Sequence, residues 1–210
     1  MRKFLDRYDA GKVLAEKLKA YKNNSDVIVL ALPRGGVPVA FEVAKALHAP
    51  LDIFIVRKLG VPSHEELAMG AIASNDTIVF NEEIVRGLNI PQYEIDQVIK
   101  SEKQELERRE KAYRGNKKFP NLDNKIIILV DDGIATGATM RAAIKAISQQ
   151  KIKKLIVAVP VAAYETCLEI SKLANELICP LQPENFYAVG AWYDNFNQTE
   201  DEEVFNLLKK

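Results

Sequence analysis

The sequence predicts an α/β fold in which a central, mostly parallel sheet is flanked by helices. Three observations predict it. Ile126 to Val130 is an unbroken aliphatic run, which suits a strand buried on both faces better than a half-exposed one. Similar runs lie at 26–32, 51–57 and 154–160, and helical spacing follows three of the four, at 37–47, 140–147 and 163–174. Two of these strand-to-helix junctions carry glycines, Pro33-Arg34-Gly35-Gly36 and Gly133 to Gly137. In open α/β sheets such loops gather at the carboxyl ends of the strands, where ligands bind.

The other elements are read in chain order. Phe4, Tyr8, Val13, Leu14, Leu18 and Tyr21 recur at roughly helical spacing, so an amphipathic helix or helix pair is expected over 3–22. Asn23-Asn24-Ser25 breaks that pattern before the first strand. The polar segment 58–66, with its Gly and Pro, is expected to be a mobile loop. Segments 67–73 and 77–80, split by Ser74-Asn75-Asp76, read as a hairpin that extends the sheet at one edge. Asn81 caps a short helix to Leu88, and Pro91 stands near the start of a helix running to about Tyr113. The stripe Ile95, Val98, Ile99, Leu106 and Tyr113 is thin, so this helix is largely solvated and leans on the core or on another subunit. A short strand is expected at 176–179. Aromatics then concentrate around Gly190, in a stretch that can be core or a surface on which a base stacks. Thr199-Glu200-Asp201-Glu202 reads as a capping box opening a helix through Leu208.

The chemistry concentrates after the central strand, where Asp131 and Asp132 lead into Gly133-Ile134-Ala135-Thr136-Gly137-Ala138-Thr139. Gly133 and Gly137 let the backbone turn tightly and let a ligand come close. The loop opens a helix, so free amides and the positive end of the helix dipole favour an anion there, and Thr136 and Thr139 add hydroxyl donors. A single phosphate group is the natural guest. Two carboxylates one loop away would repel it unless something neutral or cationic lay between, and a sugar diol fits that gap. The residues therefore imply a ribose phosphate, its 5′-phosphate in the loop and its 2′- and 3′-hydroxyls facing Asp131 and Asp132, with room for a magnesium ion nearby. The chain contains neither G-x-x-x-x-G-K-[ST] nor G-x-G-x-x-G. Arg34 adds forked donors suited to phosphate oxygens, although an Arg-Gly-Gly tripeptide also fits a surface turn.

VDDGIATGAT resembles the phosphoribosyl-pyrophosphate motif of the type I phosphoribosyltransferases: a hydrophobic run, two acids, small residues, then T-G-x-[ST]. The resemblance implies one domain over 1–210, a helical insertion at about 81–120, and a hood formed by about 180–210 with the N-terminal helix. It implies transfer of the 5-phosphoribosyl group from phosphoribosyl pyrophosphate (PRPP) to an acceptor, a nucleobase above all, with release of pyrophosphate and with Mg2+ as cofactor. Asp131, Asp132 and Arg34 would be catalytic. Gly35 and Gly36 would hold pyrophosphate, while Gly133, Ala135, Thr136, Gly137, Ala138 and Thr139 would hold the 5′-phosphate. Asp131 and Asp132 would lie by the metal mainly through ligand oxygens. Arg57, Lys58 and His64 would come from a loop closing on the site. Tyr187 would stack on the base, Asp194 would contact its edge or magnesium, and Trp192 would pack in the hood. Family members for hypoxanthine and guanine carry a third acid where this chain has Ala135, and adenine-using members carry alanine. A purine thus stays open, with Glu65 or Glu66 as proton partners, and so do orotate and acceptors that are not nucleobases. Two other readings compete: a non-catalytic regulatory module that binds PRPP or a nucleotide, and a phosphohydrolase with Asp131 as nucleophile. The second usually shows D-x-D, whereas these acids are adjacent.

With 210 residues, one core with an appendage is expected. The 29 basic and 29 acidic side chains cancel, which disfavours a dedicated nucleic-acid binder and makes the basic 114–118 stretch a solvated surface. No apolar run reaches bilayer length, and the basic start lacks the apolar stretch of a secretory leader, so a cytoplasmic protein is expected. Cys167 and Cys179 are read as buried thiols. The resemblance also implies a homo-oligomer, a dimer.

Overall fold

Strand β6 (Ile126–Val130) is buried at every residue, and its side chains alternate between two cores. Ile126, Ile128 and Val130 enter one apolar cluster, Ile127 and Leu129 the other. This is how a period of two works in a strand covered on both faces. In this computed structural model, which describes residues 3–209, β6 lies at the middle of a five-stranded sheet. The sheet joins β1 (Val27–Ala31), β2 (Leu51–Ile53), β6, β7 (Lys154–Ala158) and β8 (Glu176–Ile178) in the order β2-β1-β6-β7-β8. Every pairing in it is parallel.

One face is covered by α1 (Arg7–Lys17), α2 (Gly36–Leu47), α4 (Gln92–Arg114) and α7 (Asp201–Leu208), through residues such as Leu14, Val43, Leu106 and Val204. The other is covered by α5 (Ala138–Ile147) and α6 (Tyr164–Ser171), through Met140, Ile144 and Ile170. The chain runs from β1 outward to β2, and returns on the other side of β1 as β6. The β1 and β6 loops therefore leave neighbouring strands in a crevice at their carboxyl ends, with α2 and α5 departing to opposite faces.

Several expectations are corrected. The run at 51–57 is two strands, because the chain leaves the parallel sheet at Phe54 and Ile55. The Phe54 amide donates to the Ala31 carbonyl at 2.8 Å, and the Ile55 amide donates to the Ser74 hydroxyl at 2.9 Å. The chain then enters β3 (Val56–Val61), paired antiparallel with β4 (His64–Ala73), so 58–66 is the arms and tip of a hairpin, with Ser63 at φ +69° in its turn. The hairpin of β4 with β5 (Thr77–Phe80) forms as expected, but these strands make a separate three-stranded sheet rather than an edge of the main one.

The N-terminal segment is α1 followed by a short 3-10 turn at Lys19–Tyr21. Phe4 lies outside it, in a bridge with Tyr193, and Val13 is exposed. Met1 and Arg2 lie outside the described residues. The capping box does not form: Glu200 occupies the N-cap of α7 with no side-chain hydrogen bond, and Thr199 is buried. Asn81 does cap α3 (Glu82–Gly87), accepting from the Ile84 amide, and Pro91 is the N-cap residue of α4. Ile95, Leu106 and Tyr113 bury the stripe of α4 against the core. Both cysteines are free and buried. Among the described residues no helix is long and apolar enough to cross a membrane.

Candidate active site

Asp131 and Asp132 follow β6 directly, and the loop after them is lashed to its surroundings. The Ile134 amide donates to the Val161 carbonyl at 2.9 Å, and the Thr166 hydroxyl donates to the Ala135 carbonyl at 3.0 Å. Gly133 packs against Val189. Gly137, the N-cap of α5, has φ +76°, a left-handed conformation that glycine adopts without steric cost. Arg141, one turn into α5, donates to the Thr136 carbonyl at 2.9 Å and pairs with Glu169 at 3.1 Å. Ala135, Thr136, Ala138 and Thr139 stay exposed around the opening of α5, whose first-turn amides have no partner inside the helix. The loop is thus tied down on either side of the exposed opening of α5.

The Pro33 to Gly36 loop meets these acids. A Cβ on Gly35 would stand 2.0 Å from Asp132 Oδ2, and one on Gly36 would stand 2.8 Å from the Val130 carbonyl oxygen and 2.9 Å from Asp131 Cα. Only a residue without a side chain lets the β1 loop lie on the acids. The Pro33-Arg34 peptide is cis. Arg34 Nη1 lies 3.4 Å from Asp201 Oδ1, and the Tyr113 hydroxyl donates to that same oxygen at 2.6 Å. The arginine of the first loop is therefore tied to the start of α7 and the end of α4.

Both carboxyls are pushed above the ordinary carboxylate range, chiefly by burial; Asp131 is also pushed up by the neighbouring charge of Asp132. For Asp132 the main opposing influence is Arg7, the first residue of α1, whose Nε donates to Asp132 Oδ2 at 2.8 Å. The Asp132 amide donates to Asp131 Oδ1 at 2.8 Å, and the Tyr193 hydroxyl donates to the Asp132 carbonyl. Arg7 was not among the residues the sequence singled out. Its partner lies 125 residues away, and nothing local marks a helix-opening arginine as part of a site.

The remaining candidates lie as follows. Arg57 pairs with Glu102 at 2.6 Å and Lys58 with Glu66 at 3.4 Å, and all four line a cavity of about 360 Å³ between the β3–β4 hairpin and α4. His64 and Glu65 are exposed on that hairpin. Trp192 packs against an aromatic cluster that contains Phe4 and Tyr193, with Phe186 and Phe196 also against it. Tyr187 stands outside the cluster, 91% exposed, and Asp194 is exposed with its amide on the Phe4 carbonyl at 2.8 Å. Tyr193 is therefore core, Phe186, Trp192 and Phe196 are half-buried against it, and Tyr187 is left outside. Among the described residues no group of three or more His, Cys, Asp or Glu could hold a metal ion. Two carboxylates, one already paired with arginine, fit a magnesium ion carried in on substrate oxygens, since that ion keeps several waters and few protein ligands.

The phosphoribosyl transferase domain model matches residues 4–195. The chain belongs to the phosphoribosyl transferase family. Two curated Mycobacterium tuberculosis proteins, each named "Putative phosphoribosyl transferase", are 46% identical over 211 residues; the match covers 100% of this chain and 47% of each of theirs. The chain thus spans about half the length of the curated relatives it matches. Among solved structures, TT1426 from Thermus thermophilus is 37% identical with a TM-score of 0.86, covering 99% of this chain and 98% of that one. The purine phosphoribosyltransferase from Pyrococcus horikoshii is 19% identical with a TM-score of 0.51, covering 92% and 93%, a likeness of fold. The resemblance carried by VDDGIATGAT and the α/β fold of the type I phosphoribosyltransferases are both borne out.

Proposed function

We propose that this phosphoribosyl transferase family member transfers the 5-phosphoribosyl group from PRPP to a nucleobase, releasing pyrophosphate. The supporting observation is the contact of the two loops, in which Gly35 lies against the Asp132 carboxylate. A donor cup for a monophosphate and a second loop for pyrophosphate would then flank one acidic pair, the order of parts that a molecule phosphorylated at both ends of its sugar calls for.

In the reaction the bond from the anomeric carbon to pyrophosphate breaks, and pyrophosphate leaves with the electron pair. A nitrogen of the acceptor bonds to that carbon and gives up its proton to solvent water. Asp131 and Asp132 hold the sugar hydroxyls and stabilise the positive charge that develops on the ring. The amides of 135–139 with Thr136 and Thr139 fix the 5′-phosphate, while Arg34 and the Gly35 amide receive the leaving group; the Gly36 amide already donates to the Leu32 carbonyl at 3.1 Å, and Gly36 serves by letting the loop lie close to Asp131. Mg2+ held mainly by substrate oxygens beside the acids would neutralise part of the charge on pyrophosphate. Arg57 and Lys58 enter this scheme only as the cations of the hairpin, paired in this structure with Glu102 and Glu66.

The test is pyrophosphate release from PRPP and magnesium across a panel of purines, pyrimidines and orotate. Release with one acceptor, lost in Asp132→Asn while the melting curve is kept, is the expected result. Absence of release with every base, together with absence of PRPP binding by calorimetry, overturns the proposal. PRPP binding without turnover would favour a regulatory module. The Arg7–Asp132 pair speaks for that second reading, because an acid already paired within the chain can grip a sugar without sharing in bond breaking.

A further inference from the structure

Arg7 stands where the two loops and the C-terminal segment converge. Its Nε donates to Asp132 Oδ2 at 2.8 Å, its Nη1 donates to the Asn197 carbonyl at 2.6 Å, and its guanidinium carbon lies 3.9 Å from the centroid of the Phe196 ring. A Cβ on Gly35 would be 3.3 Å from the same Nε, so the first loop also touches it. The Arg7 side chain is 11% exposed and that of Asp132 13%, which makes this a largely desolvated ion pair rather than a surface one. Phe196 is in turn held by the Tyr193 ring, with centroids 5.0 Å apart, and the Tyr193 hydroxyl reaches the Asp132 carbonyl. The acid is therefore gripped twice, through its side chain by Arg7 and through its backbone by Tyr193 of the C-terminal segment.

We propose that Arg7 is a positioning residue of the phosphoribosyl site, holding the Asp132 carboxylate in the orientation that meets the sugar hydroxyls and supplying its counter-charge. This rests on the reading of Asp132 as a sugar-diol ligand. A guanidinium fixed by a carbonyl, a ring and a carboxylate has little freedom left to lose, so the acid it holds is preoriented before any ligand arrives. Lysine can restore the charge but not the fork, and leucine in place of Phe196 loosens the guanidinium without touching the acid.

The experiment is a double-mutant cycle on ribose 5-phosphate binding, read by titration calorimetry with melting temperatures alongside. Arg7→Ala is expected to weaken binding about tenfold, a coupling typical of groups in direct contact, and to cause no further loss in an Asp132→Asn background. Arg7→Lys is expected to recover most of the affinity, and Phe196→Leu to weaken binding about threefold only while Asp132 is present. An Arg7→Ala loss that is equal in both backgrounds, or affinity unchanged in Arg7→Ala and Phe196→Leu, would overturn the positioning role. So would Arg7→Lys binding as poorly as Arg7→Ala with the same drop in melting temperature. If Arg7→Ala does not fold, Arg7→Lys and Phe196→Leu carry the cycle. Failure of the unaltered protein to bind either ribose 5-phosphate or PRPP is a separate result, which overturns the phosphoribosyl reading itself and this inference with it.

Discussion

Gly35 is the residue where local chemistry and the site depend most directly on each other. Alanine there would place a methyl carbon 2.0 Å from Asp132 Oδ2, so either the β1 loop or the carboxylate must move by more than an ångström. Displacement of that size at a reacting centre costs on the order of a hundredfold in turnover. Gly35→Ala is therefore expected to lose pyrophosphate release by about that factor, with a melting temperature lowered by only a few degrees as the overpacked contact costs about 1–3 kcal/mol. Unchanged steady-state kinetics would remove Gly35 from the site. At this scale the sequence was partly legible. Asp131, Asp132 and Gly133 to Thr139 announce themselves because their meaning lies in adjacent positions along the chain. Arg7 could not, because its partner is distant and a helix-opening arginine looks like any solvated one. Tyr187, given its stacking role by the resemblance alone, stands 91% exposed, a ring left open to a partner.

Among the elements, β6 organises the core through a simple alternation. Ile128 is fully buried in one cluster and Ile127 in the other, so a cavity made at either face falls on the strand that presents the acids. Ile128→Ala is expected to destabilise the fold by about 2–5 kcal/mol in urea titrations, with most of the loss from missing contacts that neighbours cannot refill. A change below about 0.5 kcal/mol would mean that the sheet is less tightly packed at its centre than its burial implies. The parallel strands were readable because burial on both faces writes continuous aliphatic runs. The boundary inside 51–57 was not, since Phe54 and Ile55 are as apolar as the strands beside them. What divides them is the pair of acceptors that take their amides, the Ala31 carbonyl and the Ser74 hydroxyl, and neither is local. The capping box failed for a related reason: Thr199 fits the local pattern, yet it is buried instead of capping α7.

At the scale of the whole molecule, the order β2-β1-β6-β7-β8 puts both loops in one crevice, a placement the sequence implied through two glycine-bearing junctions. The separate sheet of β3, β4 and β5 was less visible, because a hairpin pattern says which strands pair and not which sheet they join. The same order has a consequence for how the protein is made. Val27 pairs with Ile126, so the central ladder closes a loop of roughly a hundred residues before its contacts return any stability. During synthesis β1 emerges about a hundred residues ahead of β6 and keeps one edge unsatisfied until β6 leaves the ribosome, a window in which an aliphatic strand is open to wrong partners. A chain cut after residue 120 is accordingly expected to show no cooperative melting and little protection of the β1 amides in hydrogen exchange. A cooperative transition in that fragment would mean that the N-terminal half is its own folding unit. Otherwise nascent copies of this protein depend on the speed of elongation, or on a chaperone, to carry β1 unharmed to the strand that completes it.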